Sequence, residues 1–421
     1  EHKVASADWP DRLANSLDKP VAGESLAKLL ADVAAAGGKV CVVVEDITRH
    51  SPLPEILPLL LREFKYSGIT DSQVVFMMAG GMHPAISRRQ MAEKLGGEIL
   101  ERFDVRFNPW HDESQYVCVG TINGKDVRIA RDVAMSDLRI VVSSVSAHLQ
   151  AGFGGGYKMF YPGCSEIWSI RALHKTGVNR YGIRQMVGTV PPRNKMRQVI
   201  DAAGRLTDAY HGRTFMVQYL LDDNDLPSAI ACGDPLPVHE MLTKQSAVSC
   251  GVVCGTQADI LITNSHPRDH DLWQCFKAIP NTCWAARPGG VVICLARCPE
   301  GLNEMKTLNW PLSPLWTRRI IRWIGAGNIA QMVDRMVTRI AGDSSWFLRL
   351  ATQILQRNPI YMVSPSLMER SEGFPGIALF GTVEEALDSA RRLLGGGPQR
   401  VAVYPWGGAS YPITADITVQ Q

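Results

Sequence analysis

Seven strand-length apolar runs set the frame of this 421-residue chain. They are KVCVVVED (39–46), SQVVFMMAG (72–80), RIVVSSVS (139–146), DILITNS (259–265), GGVVICLA (289–296), IYMVS (360–364) and RVAVYP (400–405). Their apolarity is nearly continuous rather than alternating. A strand needs that when both its faces are covered, as in a parallel sheet. Helical patterns lie between the runs. SPLPEILPLLLREFKYSG has Ser51 as its predicted N-cap and Pro52 at the first helical position, and closes on Gly68. TVEEALDSARRLLGGG has Thr382 as its predicted cap and ends in glycines. Strands alternating with helices predict an α/β fold with mainly parallel sheets. The length exceeds one ordinary core, so two α/β domains are expected, 1–245 and 246–421, with a cleft between them. In such folds ligands gather at the C-terminal ends of strands. The Asp46–Arg49 loop, His83 and His148 each follow a predicted strand directly.

Hydrophobic residues are 46% and charged residues 20%, a globular balance. A net charge of +3 gives no argument for nucleic acid or for a strongly anionic membrane. No apolar run is long enough for a membrane span. The start, EHKVASADWPDR, has neither the basic nor the apolar region of a signal peptide, so a cytoplasmic location is expected. Ten cysteines are scattered, several inside apolar runs, which reads as buried reduced thiols. The segment 315–340, LWTRRIIRWIGAGNIAQMVDRMVTRI, is basic and amphipathic. It reads as a solvated helix covering its own domain, with a membrane-surface helix or partner site as the alternative.

The stretch HLQAGFGGGYKMFYPG carries the strongest chemical signal. Lys158 follows His148 by ten residues, and His174 follows Lys158 by sixteen. Gly154, Gly155 and Gly156 permit positive φ or leave room for a bulky group against the backbone. A glycine hinge with a surface lysine is the plainer alternative. The P-loop pattern fails, because Met159 follows the lysine. In EDITRHSP, Asp46 and Thr48 lie in the loop and Arg49 at a helix N-terminus, a place that favours anions. A capped turn with a solvated arginine would look the same. His83, in AGGMHP, and His174, in SEIWSIRALHK, are each a candidate base or ligand, or an ordinary structural histidine. WQCFK puts Gln274 and Lys277 on one helical face, as a carboxylate clamp or a solvated face. HPRDH (266–270) spaces two histidines like a zinc helix, but it lacks the glutamate and contains Pro267. Cys250/Cys254 with Cys294/Cys298 is a weak zinc pattern, since Cys294 reads as strand core.

The ordered set Asp46-x-Thr48-Arg49, His83, His148, Lys158, His174, Gln274 and Lys277 resembles the lactate racemase family. The likeness runs from about residue 39 to 277, and His-x9-Lys-x15-His is its specific part. NPWHD (108–112) also resembles a family turn. The resemblance implies a nickel-pincer cofactor, pyridinium-3-thioamide-5-thiocarboxylic acid mononucleotide, attached to Lys158. His174 would be the protein's nickel ligand, and soft sulfur donors with one imidazole suit square-planar Ni(II). Asp46, Thr48, Gly155 and Gly156 would contact the cofactor or order its loops. His83 and His148 would be the two acid/bases, and Arg49, Gln274 and Lys277 would orient the substrate carboxylate. Partners would be a small hydroxy-acid substrate and the proteins that make the cofactor. The implied activity is racemisation or epimerisation of a 2-hydroxy acid by hydride transfer. Three departures argue for an acid other than lactate: Pro84 and Tyr157 stand where the family carries arginines, and Trp273 where it often has tyrosine. A metal-dependent lyase or hydrolase using the same histidines, or a non-catalytic binding homologue, are the competing expectations.

Overall fold

The computed structural model describes residues 4–176, 184–302, 311–337 and 345–414. All seven apolar runs are strands. The first sheet has six, in the order Pro227–Gly233, Arg213–Leu221, Leu138–Ser144, Val40–Val44, Val74–Met78 and Asp104–Phe107. Only Pro227–Gly233 runs antiparallel to its neighbour. The second sheet has five parallel strands, in the order Ile377–Phe380, Ile360–Val363, Ala286–Leu295, Ala258–Asn264 and Val401–Tyr404. The fold class is α/β, as the alternating pattern predicts.

Every residue of Val40–Val44 is buried. Val40, Val42 and Val44 pack with Leu26, Leu30, Leu53, Ile56 and Phe76 in the first core. Ile260, Val291, Ile293, Tyr361 and Ala386 form the second. Helix Val383–Leu393 starts with the expected Thr382 cap, closed by Glu385 as a capping box. Helix Leu53–Tyr66 starts differently from expectation. Pro52 occupies the capping position, and the Ser51 hydroxyl donates to the buried Glu45 carboxylate instead of capping the helix. A charged acceptor outcompetes backbone capping here, because Glu45 would otherwise be buried without enough partners.

The chain divides into two compact units. One comprises residues 1–146, 153–176 and 190–249; the other comprises 147–152, 177–189 and 250–421. A single cut near 245 therefore does not describe the division, because two short passages of the N-terminal half go with the second unit. His148 lies in the first of them. In the second passage, Gln185 Nε2 donates to the Pro412 carbonyl at 2.6 Å and Gly188 N to the Gly152 carbonyl at 3.0 Å, which ties these segments to that unit. Among the described residues no helix is long and apolar enough to cross a membrane.

Tyr157 shows how tightly the first unit is built next to Lys158. It is buried, donates its hydroxyl to Asp208, and lies against Gly204 in helix Lys195–Tyr210. A Cβ at Gly204 would sit 1.9 Å from the Tyr157 ring. Gly204→Ala is therefore expected to destabilise the chain by about 1–3 kcal/mol through overpacking. That outweighs the roughly 1 kcal/mol that alanine normally brings to a helix interior. Urea unfolding of the variant checks this; unchanged or raised stability would reject the close packing.

Candidate active site

The first unit gathers Glu45, Asp46, Arg49, His83, Lys158 and His174. Asp46 ends the run that forms Val40–Val44, and its carboxylate is buried. One oxygen accepts from the Thr48 hydroxyl at 2.6 Å and from the Thr48 N–H at 3.1 Å. The other meets His83 Nδ1. Burial alone would raise the Asp46 carboxyl. The His83 hydrogen bond and charge, then Arg49, then the Thr48 bond, override it and hold the group far below the usual carboxylate range. A carboxylate only accepts, so Nδ1 of His83 carries a proton. In the neutral ring the lone pair is then on Nε2. Asp46 thus makes polar contacts to both Thr48 and His83 and orders this loop.

The loops around this pair are braced from afar. Lys94 donates to the carbonyls of Arg49, at 2.6 Å, and Ser51, at 2.9 Å. Glu45 accepts from the Ser144 N–H at 3.0 Å and hydroxyl at 2.8 Å, joining the ends of two neighbouring strands. The NPWHD turn holds the histidine loop. Trp110 Nε1 donates to the His83 carbonyl at 3.1 Å, and Asn108 Nδ2 to the Gly81 and Ser165 carbonyls at 2.9 and 3.0 Å.

The glycine-rich turn presents Lys158. Gly155 and Gly156 have φ of +69° and +62°, a region that side chains disfavour. The space beside them belongs to the protein. A Cβ at Gly155 would lie 2.8 Å from Gln218 Nε2, and one at Gly156 2.7 Å from the His239 ring. Backbone shape and close packing therefore both require glycine at these two positions. Arg197 donates to the carbonyls of Phe153 and Gly155, and His239 Nε2 lies 3.0 Å from the Gly154 carbonyl. Three successive carbonyls of the turn are thus fixed by two buried side chains.

Burial, then the positive charges of Arg49 and Arg197, push the Lys158 amine down to about 7, against the opposing pull of Asp46 and Glu45. A large neutral fraction near pH 7 makes this amine a nucleophile, unlike a surface lysine. His174 lies on helix Ile167–Thr176, near its C-terminus as expected. Burial, then Lys158 and His83, push its imidazole down to about 4. It is neutral at physiological pH, the form that binds a metal.

The second unit holds His148, Gln274 and Lys277. His148 Nδ1 accepts from the N–H groups of Ala151, at 3.1 Å, and Gln150, at 3.3 Å. The neutral ring therefore carries its proton on Nε2, opposite to His83. Gln274 lies in helix Leu272–Phe276, where Asp271 caps the Gln274 N–H at 2.7 Å. Lys277 Nζ donates to Gln274 Oε1 at 2.6 Å, so the two do share a face. With that oxygen engaged, the remaining polar groups of the pair are N–H donors, which suits a carboxylate.

Glu45, Lys94, Arg197 and His239 went unmarked in the sequence. Glu45 stands next to Asp46 at the end of a strand run, which is a readable signal for a buried acid. The others reach the site from helices remote in sequence, with no local signal. HPRDH forms a turn and not a zinc helix. Among the described residues no three His, Cys, Asp or Glu side chains form a metal cluster. Cys298 lies 3.2 Å from Cys275, rather than pairing with Cys294 in a zinc site.

The profile of the lactate racemase N-terminal domain matches residues 3–184. The chain is 24% identical over 301 residues to the lactate racemase of Lactiplantibacillus plantarum, covering 69% of this chain and 66% of that protein. It is 25% identical over 318 residues to the lactate racemase of Thermoanaerobacterium thermosaccharolyticum, covering 71% and 68%. The matched segments thus span about two thirds of these relatives' length. The solved lactate racemase apoprotein of T. thermosaccharolyticum superposes with a TM-score of 0.79 at 20% identity, over 98% of this chain and 94% of that one. A protein of Thermotoga maritima gives 0.64 at 16% identity, over 92% and 97%. These two likenesses show the α/β fold. The domain match over residues 3–184 and the two sequence relatives make lactate racemases the proteins that this chain is similar to in sequence.

Proposed function

We propose that this chain racemises or epimerises a 2-hydroxy acid, using a nickel-pincer nucleotide tethered to Lys158. The observation that carries the reading is one neighbourhood in the first unit. It holds a lysine with a depressed pKa on a rigid glycine turn, a neutral imidazole at His174, and the Asp46–His83 pair. The residues fit such a group. The uncharged amine of Lys158 would hold the nucleotide through an amide-type bond, and the neutral imidazole of His174 would bind the metal that the nucleotide carries. When bound, the group supplies a hydride acceptor and donor at the substrate's carbinol carbon.

The chain's own residues do the rest. His83 Nε2 takes the hydroxyl proton, and Asp46 orients the ring and stabilises the imidazolium that results. His148, with its proton on Nε2, is the second proton-transfer group and acts first as donor, taking the proton back in the reverse direction, as inversion needs proton transfer on both faces. Arg49 and the Gln274–Lys277 pair are carboxylate donors. The relatives are lactate racemases, so lactate is the first substrate to test. Tyr157 is buried against Gly204 and adds no cation where the family carries arginine, which favours a different or larger hydroxy acid. Separate proteins that make the nucleotide are the implied partners, and the reducing cytoplasm is the compartment this reading assigns.

The test is protein co-produced with the cofactor-synthesis proteins, weighed intact, assayed for nickel, and screened for optical inversion of single-enantiomer 2-hydroxy acids. An adduct on Lys158 with bound nickel and inversion is expected. Loaded protein that inverts no hydroxy acid would sink the proposal. His174→Ala is expected to keep the adduct and lose most of the nickel. Equal nickel in both proteins would remove His174 as a ligand.

A further inference from the structure

Helix Pro314–Ile324, in the second unit, has the wrong outer face for a solvated helix. Its inner side is made by Thr317 and Ile321, which are buried. Arg318 leans back to donate to the Leu355 and Arg357 carbonyls at 2.9 and 3.4 Å. At 100° per residue, Trp316, Ile320 and Trp323 fall within about 60° of one another, roughly 110° round from the buried side, and Leu315 lies nearly opposite that side. They are exposed: 58% for Trp316, 36% for Ile320, 87% for Trp323 and 48% for Leu315. A surface helix normally turns polar residues outward, and exposed apolar patches of this kind mark an interaction site.

The charges say what kind. Between Pro311 and Val333 there are three arginines and no Asp or Glu. Arg319 and Arg322 line one edge of the exposed face, and the Arg319 guanidinium stands 4.9 Å from the Trp316 ring centroid. Tryptophans beside arginines, with no acid among them, match the boundary of an anionic bilayer, where rings sit at headgroup depth and guanidinium groups meet phosphates. A second copy fits worse. A two-fold contact through this face would set Arg319 and Arg322 against their own counterparts.

We infer that the outer face of helix Pro314–Ile324 docks the protein onto an anionic lipid surface. The local charge governs, so the small net charge of the chain is no obstacle. The contact is interfacial and shallow, since no described helix can span a membrane.

The test is co-sedimentation of the full chain with vesicles of phosphatidylglycerol and phosphatidylcholine, against phosphatidylcholine alone. At low salt, partition onto the anionic vesicles is expected to be at least tenfold stronger, and to fall as salt screens it. The pair Trp316→Ala with Trp323→Ala should lose at least tenfold in partition. The pair Arg319→Gln with Arg322→Gln should lose the preference for phosphatidylglycerol. These side chains are exposed, so both variants should melt with the wild type. Three results would overturn the inference: no partition onto anionic vesicles at low salt, equal partition by wild type and both variants, or a dimer broken by Trp323→Ala in a protein that ignores vesicles.

Discussion

Lys158→Ala is expected to leave the protein folded and wholly inactive, with no mass adduct and no retained nickel. The reason lies in what this lysine costs and what it offers. Burial beside Arg49 and Arg197 disfavours its charged form, so removing the amine costs the apoprotein little or no stability. Lys158→Arg should fail as well, because a guanidinium stays charged and cannot form the same bond. The pH dependence provides an independent readout. In unloaded wild type, labelling of Lys158 by an amine-reactive acylating agent should be half-maximal at about pH 7, against the usual lysine value of 10.5. Residual inversion in Lys158→Ala would reject the tether, and labelling that begins only near pH 10 would reject the depressed amine.

The second large effect is expected at Asp46. An asparagine there keeps size and the oxygen for Thr48, but it can offer His83 an N–H in place of an acceptor. That favours the tautomer with its lone pair on Nδ1 and removes the base from Nε2. Asp46→Asn should slow inversion by roughly 10²- to 10⁴-fold, mostly in kcat. His83→Ala should cost a similar factor. The double variant should be little worse than either single one, because the two residues act as a unit. Additive losses would show that Asp46 works elsewhere. The sign of the pH dependence follows from its depressed pKa. The stability Asp46 contributes is present above the ordinary carboxylate range and is lost only as pH falls through its much lower folded value. Activity loss in mild acid is therefore not expected to come from this carboxylate.

The parts of the fold that were readable are those encoded over short windows. The seven apolar strands and the Thr382 cap needed only local periodicity. The strand Arg213–Leu221 was not read, because Gln218 interrupts it like a solvent-facing residue. In the structure Gln218 is buried and donates to Ser143 Oγ at 2.8 Å. Asp104–Phe107 is short and partly exposed, so it lacks the apolar signature of its neighbours. The hairpin Tyr116–Ile122/Lys125–Ala130 had a usable signal in Asn123-Gly124, both with positive φ. In the candidate site, the loop and turn positions were visible as motifs. What holds them was not, because Lys94, Arg197 and His239 are brought in by the tertiary fold. The partnership of Asp46 with His83, 37 residues apart, was equally hidden.

The interleaved division of the chain has a consequence for how this protein can be recombined. Reading from the N-terminus, the polypeptide passes from one unit to the other at residues 147, 153, 177, 190 and 250. The segment 153–176, which bears Lys158 and His174, is thus bracketed on both sides by passages belonging to the other unit. A chimera joined at Cys250 would give a foreign C-terminal half two passages, 147–152 and 177–189, that it was never matched to. His148 would travel with the wrong parent. Grafting a new substrate preference onto this scaffold therefore calls for exchanging three stretches of sequence together, and an expression fragment ending at 249 would lack any unit complete in itself except the first.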